Sequence, residues 1–288
     1  MVERGFTLVE LIVVIVLIGA LAAVSAVFIV NPFRASEDLA NRADLVDGAD
    51  SALDRITRET RSALPGSVRV HDGGAHLEFI KIRVGGRYRE GNDNGEEFTC
   101  EDLRFDRQES DDCFEVLGGL AVDDDDVDPR DAGTDCAGGT GDCISVGNQV
   151  QTTDNEDLVG DRPDAYEREN IAALTDLEDD GDVLHYDMDD EDGVFVEGSP
   201  QNRFYIFHDV VSYRCEGDEL RRYRSYGLQS GEPDLDDEPS ALLAGNVQSC
   251  DFDDSQLSAQ GVLAFELELA RQGESIRLLD QSRVVNSP

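Results

Sequence analysis

Asp176, Glu178, Asp180 and Asp182 stand at alternate positions, with Gly181 sixth, Val183 eighth and Asp187 twelfth in the run. Oxygen donors at the first, third, fifth and seventh places around a sixth-place glycine match the layout of an EF-hand calcium loop. Leu184 at the ninth place and the short Asp187 in place of a bidentate glutamate depart from it. Calcium is the one cofactor the sequence raises, and no other metal site is expected. Six cysteines, Cys100, Cys113, Cys136, Cys143, Cys215 and Cys250, follow at spacings that fit neither a zinc knuckle nor a redox pair. An even set in an exported domain reads as disulfides. Of the fifteen possible pairings, proximity in the chain favours Cys100 with Cys113 and Cys136 with Cys143, leaving Cys215 with Cys250. The four histidines, His71, His76, His185 and His208, fall in no H-E-x-x-H pattern, and neither G-x-S-x-G nor G-x-G-x-x-G is present. No enzyme is expected. One last group is out of place: Glu10, a carboxylate inside a long apolar run.

The chain has 288 residues, 24 basic and 64 acidic, for a formal charge of −40, and Lys81 is its only lysine. Nucleic acid is excluded as a partner, because a polyanion would be repelled rather than exchange its counterions for Lys and Arg. A P-loop is excluded because Lys81 follows no glycine-rich turn. Arginine supplies all the other basic residues and aspartate occurs in runs, the composition of proteins that work in strong brine. Molar salt shortens the Debye length to about 3 Å, which screens the repulsion that otherwise opposes compaction. The melting temperature is therefore expected to rise steeply from dilute buffer to molar salt. A flat response would assign the charge to surface properties unrelated to salt.

The element that carries Glu10 runs for 25 residues from Phe6 to Val30 and is apolar apart from Thr7, Glu10, Ser25 and small residues. As a helix it would be about 37 Å long at ~1.5 Å per residue, enough for a hydrocarbon core of about 30 Å. Arg4 and the small residues at Ala20–Ala22 or Val24–Ala26 partly fit a secretory signal peptide, whose apolar centre is shorter. A plain membrane anchor accounts for the length and leaves Glu10 unexplained, since a carboxylate at that depth costs on the order of 3 kcal/mol unless it has a partner. Met1 to Gly5 followed by Phe6-Thr7-Leu8-Val9-Glu10-Leu11-Ile12 resembles the leader and start of type IV prepilins and pseudopilins. The resemblance implies cleavage by a prepilin peptidase between Gly5 and Phe6 and N-methylation of Phe6. It also implies that Glu10 meets the new terminal ammonium of a neighbouring subunit. A buried charge of that kind is tolerable when paired and costly when its partner is lost.

Three further stretches are similar to the MSHA-type pilus biogenesis minor pilins (MshO type). They are Asp47–Arg58 with Arg61–Val70; Asn202–Ile206 leading into Val211–Cys215; and Gly273–Leu279 with Val284–Pro288. What this implies is a minor pilin that helps initiate or cap a filament. Its partners would be the peptidase, other pilins, the inner membrane and the pilus assembly platform. The chain would cross the inner membrane once, with its bulk periplasmic, and later reach the pilus and cell surface. A pseudopilin of type II secretion shares the architecture, and a membrane-anchored calcium-binding or adhesive module is the remaining alternative.

Past the apolar run, Asn31-Pro32 is expected to kink or interrupt the helix, because proline lacks an amide donor. A helical stripe then resumes at Leu39, Val46, Ala49, Leu53, Ile56 and Ala63, with Glu37, Asp44, Asp47, Arg55, Arg58 and Arg61 opposite, and ends at Pro65-Gly66. Strand-like runs follow at 76–82, 103–107, 114–120, 144–146, 183–186, 203–207, 210–213, 220–226, 247–252, 262–269 and 275–285. Long helix then strands gives α+β, with an antiparallel sheet packed on the helix, in keeping with a type IV pilin-like fold. The expected divisions are leader 1–5, transmembrane and filament-core helix 6–30, amphipathic continuation 31–65, and a disulfide-stapled domain 66–288. Acidic insertions are expected at about 121–142 and 176–193, and a loop at 231–240.

Overall fold

The computed structural model describes residues 7–91, 100, 102, 103, 105, 112–120, 141–148, 163–178, 182–187, 195 and 197–284. One helix, α1 (Leu8–Thr60), leads into strands β1 (Arg69–His71), β2 (His76–Arg87), β3 (Cys113–Glu115), β4 (Cys143–Val146), β5 (Ile171–Glu178), β6 (Val183–Tyr186), β7 (Arg203–Glu216), β8 (Glu219–Arg224), β9 (Ser240–Gly245) and β10 (Val247–Asp253). A short helix α2 (Leu257–Gln260) precedes β11 (Val262–Arg271) and β12 (Glu274–Arg283). The class is α+β.

α1 passes through Asn31 and Pro32 without interruption. Proline removes one amide donor from the ladder, and the turns on both sides hold the register. The helix also stops earlier than Pro65-Gly66 suggests. The Ser62 hydroxyl donates to the Glu59 carbonyl (2.8 Å) and the Ala63 amide to the Thr60 carbonyl (3.1 Å), closing the last turn. Beyond it the backbone is claimed by β2, with the Leu64 amide donating to the Ile80 carbonyl (2.8 Å) and the Ile82 amide to that of Ser62 (2.9 Å).

Two antiparallel sheets receive the second half of α1. The larger has nine strands in the order β1-β2-β7-β4-β5-β6-β3, with β8 and β9 branching from β7; the smaller is the meander β10-β11-β12. Strand β7 makes this possible. It is 14 residues long and pairs with β2 along one edge, while its other edge serves β4 first and β8 afterwards. The two short runs expected at 203–207 and 210–213 are therefore one strand. A Cβ at Gly85 or Gly86 would collide with the rings of Tyr205 and Phe204, so the bulged half of β2 lies close over β7 only because both are glycine.

Leu45, Ala49, Ala52, Leu53 and Ile56 form the buried stripe of α1, packed with Leu77, Phe79, Val211, Tyr213, Leu263, Phe265 and Leu267 from both sheets. Leu39, expected in that stripe, is 70% exposed, because the packed part of the helix begins later. Strands β11 and β12 behave as their alternation suggests, with Leu263, Phe265, Leu267 and Leu269 inside. A second core gathers Tyr88, Phe114, Tyr186, Phe195 and Phe204 between β3, β4, β6 and β7. Strands β1, β5 and β9 carry no clear sequence signal. The run at 103–107 gives only a single bridge, Leu103 to Glu90, among the described residues.

Cys100 is bonded to Cys113, a pair that sequence proximity favours, and Cys215 to Cys250, the pair left over. The second joins β7 to β10, one sheet to the other. Cys143 is also disulfide-bonded; Cys136, its expected partner, lies outside the described residues. So does the acidic stretch 121–140.

Candidate functional site: the first turn of the long helix

Thr7 caps α1. Its backbone is extended (φ −80°, ψ 149°), its hydroxyl accepts from the Glu10 amide (3.3 Å), and its carbonyl accepts from Leu11 (3.2 Å). The same hydroxyl lies 3.5 Å from Glu10 Oε2. Thr7-Leu8-Val9-Glu10 is thus a capping box in outline, a Thr-x-x-Glu signal that the sequence itself carries. It places the Glu10 carboxylate in the first turn, where the positive end of the helix favours an anion. A negative group is held, by cap and dipole together, at the tip of a helix.

The surroundings are apolar on every side. Leu8, Val9, Leu11, Ile12, Val13, Ile15, Val16, Leu17, Ile18 and Leu21 are all more than half exposed. A helix that is hydrophobic all round belongs inside something larger than itself. Among the described residues, no helix is long and apolar enough to cross a membrane. Gly5 and Phe6, the expected cleavage and methylation residues, lie outside the described residues.

The other candidate residues that the structure describes lie in several separate places. Asp176 and Glu178 sit on β5, opposite His185 and Val183 of β6, with Asp182 at the turn and Asp187 just past β6. The expected acidic loop at 176–193 is in this part a β-hairpin, because Leu174, Leu184 and Tyr186 bury into the second core and impose period two. Among the described residues strands stand where an EF-hand has helices; Asp180 lies outside the described residues. Asp112, Cys113 and His185 come close enough to share a metal ion, but the Cys113 sulfur is spent in its disulfide with Cys100.

Residues 1–26 match the family described as the prokaryotic N-terminal methylation motif. That match supports a type IV pilin or pseudopilin: the motif is the substrate of the prepilin peptidase and points to other pilins as partners. No curated protein and no solved structure matches the chain.

Proposed function

We propose that this chain is a minor pilin of an MSHA-type type IV pilus, helping to initiate or cap filament assembly. The observation that carries the pilin part of the reading is the methylation motif at residues 1–26 continuing into a Thr7-capped helix with exposed apolar residues from Leu8 to Leu21; the MSHA assignment rests on the resemblance of the stretches 47–70, 202–215 and 273–288. Its work is assembly, not catalysis. The peptidase frees the Phe6 amine, the segment 6–30 anchors the chain in the inner membrane with the folded domain outside, and the same segment later leaves lipid for the filament core. On that path the terminal ammonium of one subunit and Glu10 of the next neutralise each other in an apolar setting, where an unpaired charge is costly. Register between subunits follows from that pairing.

Mass spectrometry of the mature amino terminus, on membranes of the native host, tests this directly. The expected chain starts at methylated Phe6. A start after Ala22 or Ala26 would make it a secreted soluble domain, and an intact Met1 a plain anchor. A pseudopilin of type II secretion gives the same amino terminus and is separated by deletion, which would abolish enzyme secretion and leave pili intact.

A further inference from the structure

Between β1, β2, β7 and the loop after β8 lies a continuous chain of polar side chains that no assembly role uses. His71 Nε2 is 3.2 Å from Glu78 Oε2, and the Tyr226 hydroxyl donates to Glu78 Oε1 (2.8 Å). The Tyr226 and Ser212 hydroxyls are 2.7 Å apart, Ser212 Oγ is 2.9 Å from His76 Nε2, and His76 Nδ1 is 3.4 Å from Glu232 Oε1. His76, Glu78 and Ser212 are fully buried, whereas the Glu232 side chain is 41% exposed. Serine, imidazole and carboxylate in this order have the spacing of a hydrolytic triad, but a wholly buried serine can meet no substrate.

Counting protons gives the chain a different role. With Glu78 and Glu232 as carboxylates and His76 neutral, four protons are available for five contacts: the Nε2–H of His71, one from His76 and one from each hydroxyl. Burial, with the Glu78 charge beside it, raises Tyr226 well above the usual phenol range, so that hydroxyl keeps its proton. If Tyr226 donates to Glu78, Ser212 to Tyr226, and His76 Nε2–H to Ser212, then His76 Nδ1 turns a bare lone pair toward Glu232. Moving the deficit inward would leave no proton between the Tyr226 and Ser212 hydroxyls, 2.7 Å apart, or between Ser212 Oγ and the buried His76 Nε2, 2.9 Å apart, and either is costlier than a deficit that water reaches. The unfilled contact therefore belongs at His76–Glu232, the longest of the five. A proton taken up by His76 fills it and completes an ion pair with Glu232, whereas a proton on the outer nitrogen of His71 leaves it empty.

We propose that the loop 227–239, which carries Glu232, is a proton-operated strap that fastens to the sheet when His76 takes up a proton. The groups around it favour a local effect. Leu228, Pro233 and Leu235 are buried and hold the loop's base, and Arg69 NH1 donates to the Ser230 carbonyl (3.1 Å) while its NH2 pairs with Asp164 (2.6 Å) over the Tyr166 ring. Arg214 is the cross-strand neighbour of His76 on β7, and the His71 ring lies 5.2 Å from that of His76. Burial pushes His76 below the usual histidine range and the neighbouring His71 adds to that, against the pull of Glu232 and Glu78. The strap accordingly fastens in acid below that range, not at neutrality. Global stability runs the other way: the unfolded chain protonates His76 first, so falling pH weakens the whole fold while tightening the loop.

Hydrogen exchange of the full-length protein in detergent and molar salt, from about pH 8 to about pH 4.5 and corrected for intrinsic rates, tests the strap. Protection of 227–239 is expected to rise about tenfold toward acid, the increment of one hydrogen bond to a charged group. Glu232→Gln supplies an amide N–H that donates to Nδ1 at any pH, so its loop should be protected throughout. Glu232→Ala should leave it unprotected throughout. Both changes are at a half-exposed side chain and spare the fold. PH-independent protection in the unaltered protein, or an unchanged pH response in Glu232→Gln, would overturn the proposal.

Discussion

Glu59→Ala is expected to destabilise the domain by about 3–5 kcal/mol, the scale for stranding one partner of a buried ion pair. Glu59 is the penultimate residue of α1 and is nearly buried. Arg222 of β8 grips it with both arms of the guanidinium, Nε to Oε2 (2.8 Å) and NH2 to Oε1 (3.1 Å), and the Tyr213 hydroxyl of β7 donates to Oε2. Lys81 of β2 and Arg55 one turn back stand 3.7 Å away. Alanine would leave Arg222, itself only 6% exposed, as an uncompensated cation under the helix. The loss is measured as a drop in the denaturation midpoint in molar salt; a shift within about 0.5 kcal/mol, the scale of an ordinary surface change, would show that water replaces the carboxylate.

The same residue sets a pH dependence. Burial would raise the Glu59 carboxyl, but the hydrogen bonds from Arg222 and Tyr213 and the charges of Arg222 and Lys81 outweigh it and hold it below its usual value. A depressed carboxylate adds stability that is full above the unfolded value, near 4.5, and drains away as pH falls through the folded one. Glu59→Gln should flatten that part of the stability profile below about pH 4.5 and leave the neutral limb parallel to the unaltered protein.

Glu10→Val should keep membrane insertion and abolish filament incorporation, the largest functional effect expected of any single residue. Valine extends the apolar run, so insertion improves if anything, and the helix start loses only its weak reciprocal contact with Thr7. What disappears, on the proposed function, is the counter-charge for a neighbour's terminal ammonium. Pili counted by electron microscopy after replacement of the chromosomal copy are the readout, with membrane levels of the protein as the control. Normal pilus numbers alongside normal membrane levels would remove Glu10 from the assembly step.

Local chemistry accounts for what could be read from residues alone. The cleavage and methylation signature lies within a dozen consecutive residues, and a peptidase reads it as linear chain. The stripe at Ala49, Leu53 and Ile56 and the alternation at Leu263, Phe265, Leu267 and Leu269 were legible because a helix and a half-buried strand each repeat a single contact rule along themselves. Cys100–Cys113 follows from nearness in the chain. The rest depends on partners far away in sequence. Glu59 is one acid among 64 until folding sets Arg222 and Tyr213, 163 and 154 residues on, against it. The acidic segment beginning at Asp176 reads as a loop until Leu174, Leu184 and Tyr186 find a core and draw it into a hairpin. His76 and Glu232 lie 156 residues apart and meet only because β7 and β8 bring the loop back over β2. Periodicity reports which face of an element is buried; which other element buries it, and which charges are shut in with it, is decided by packing the whole chain at once.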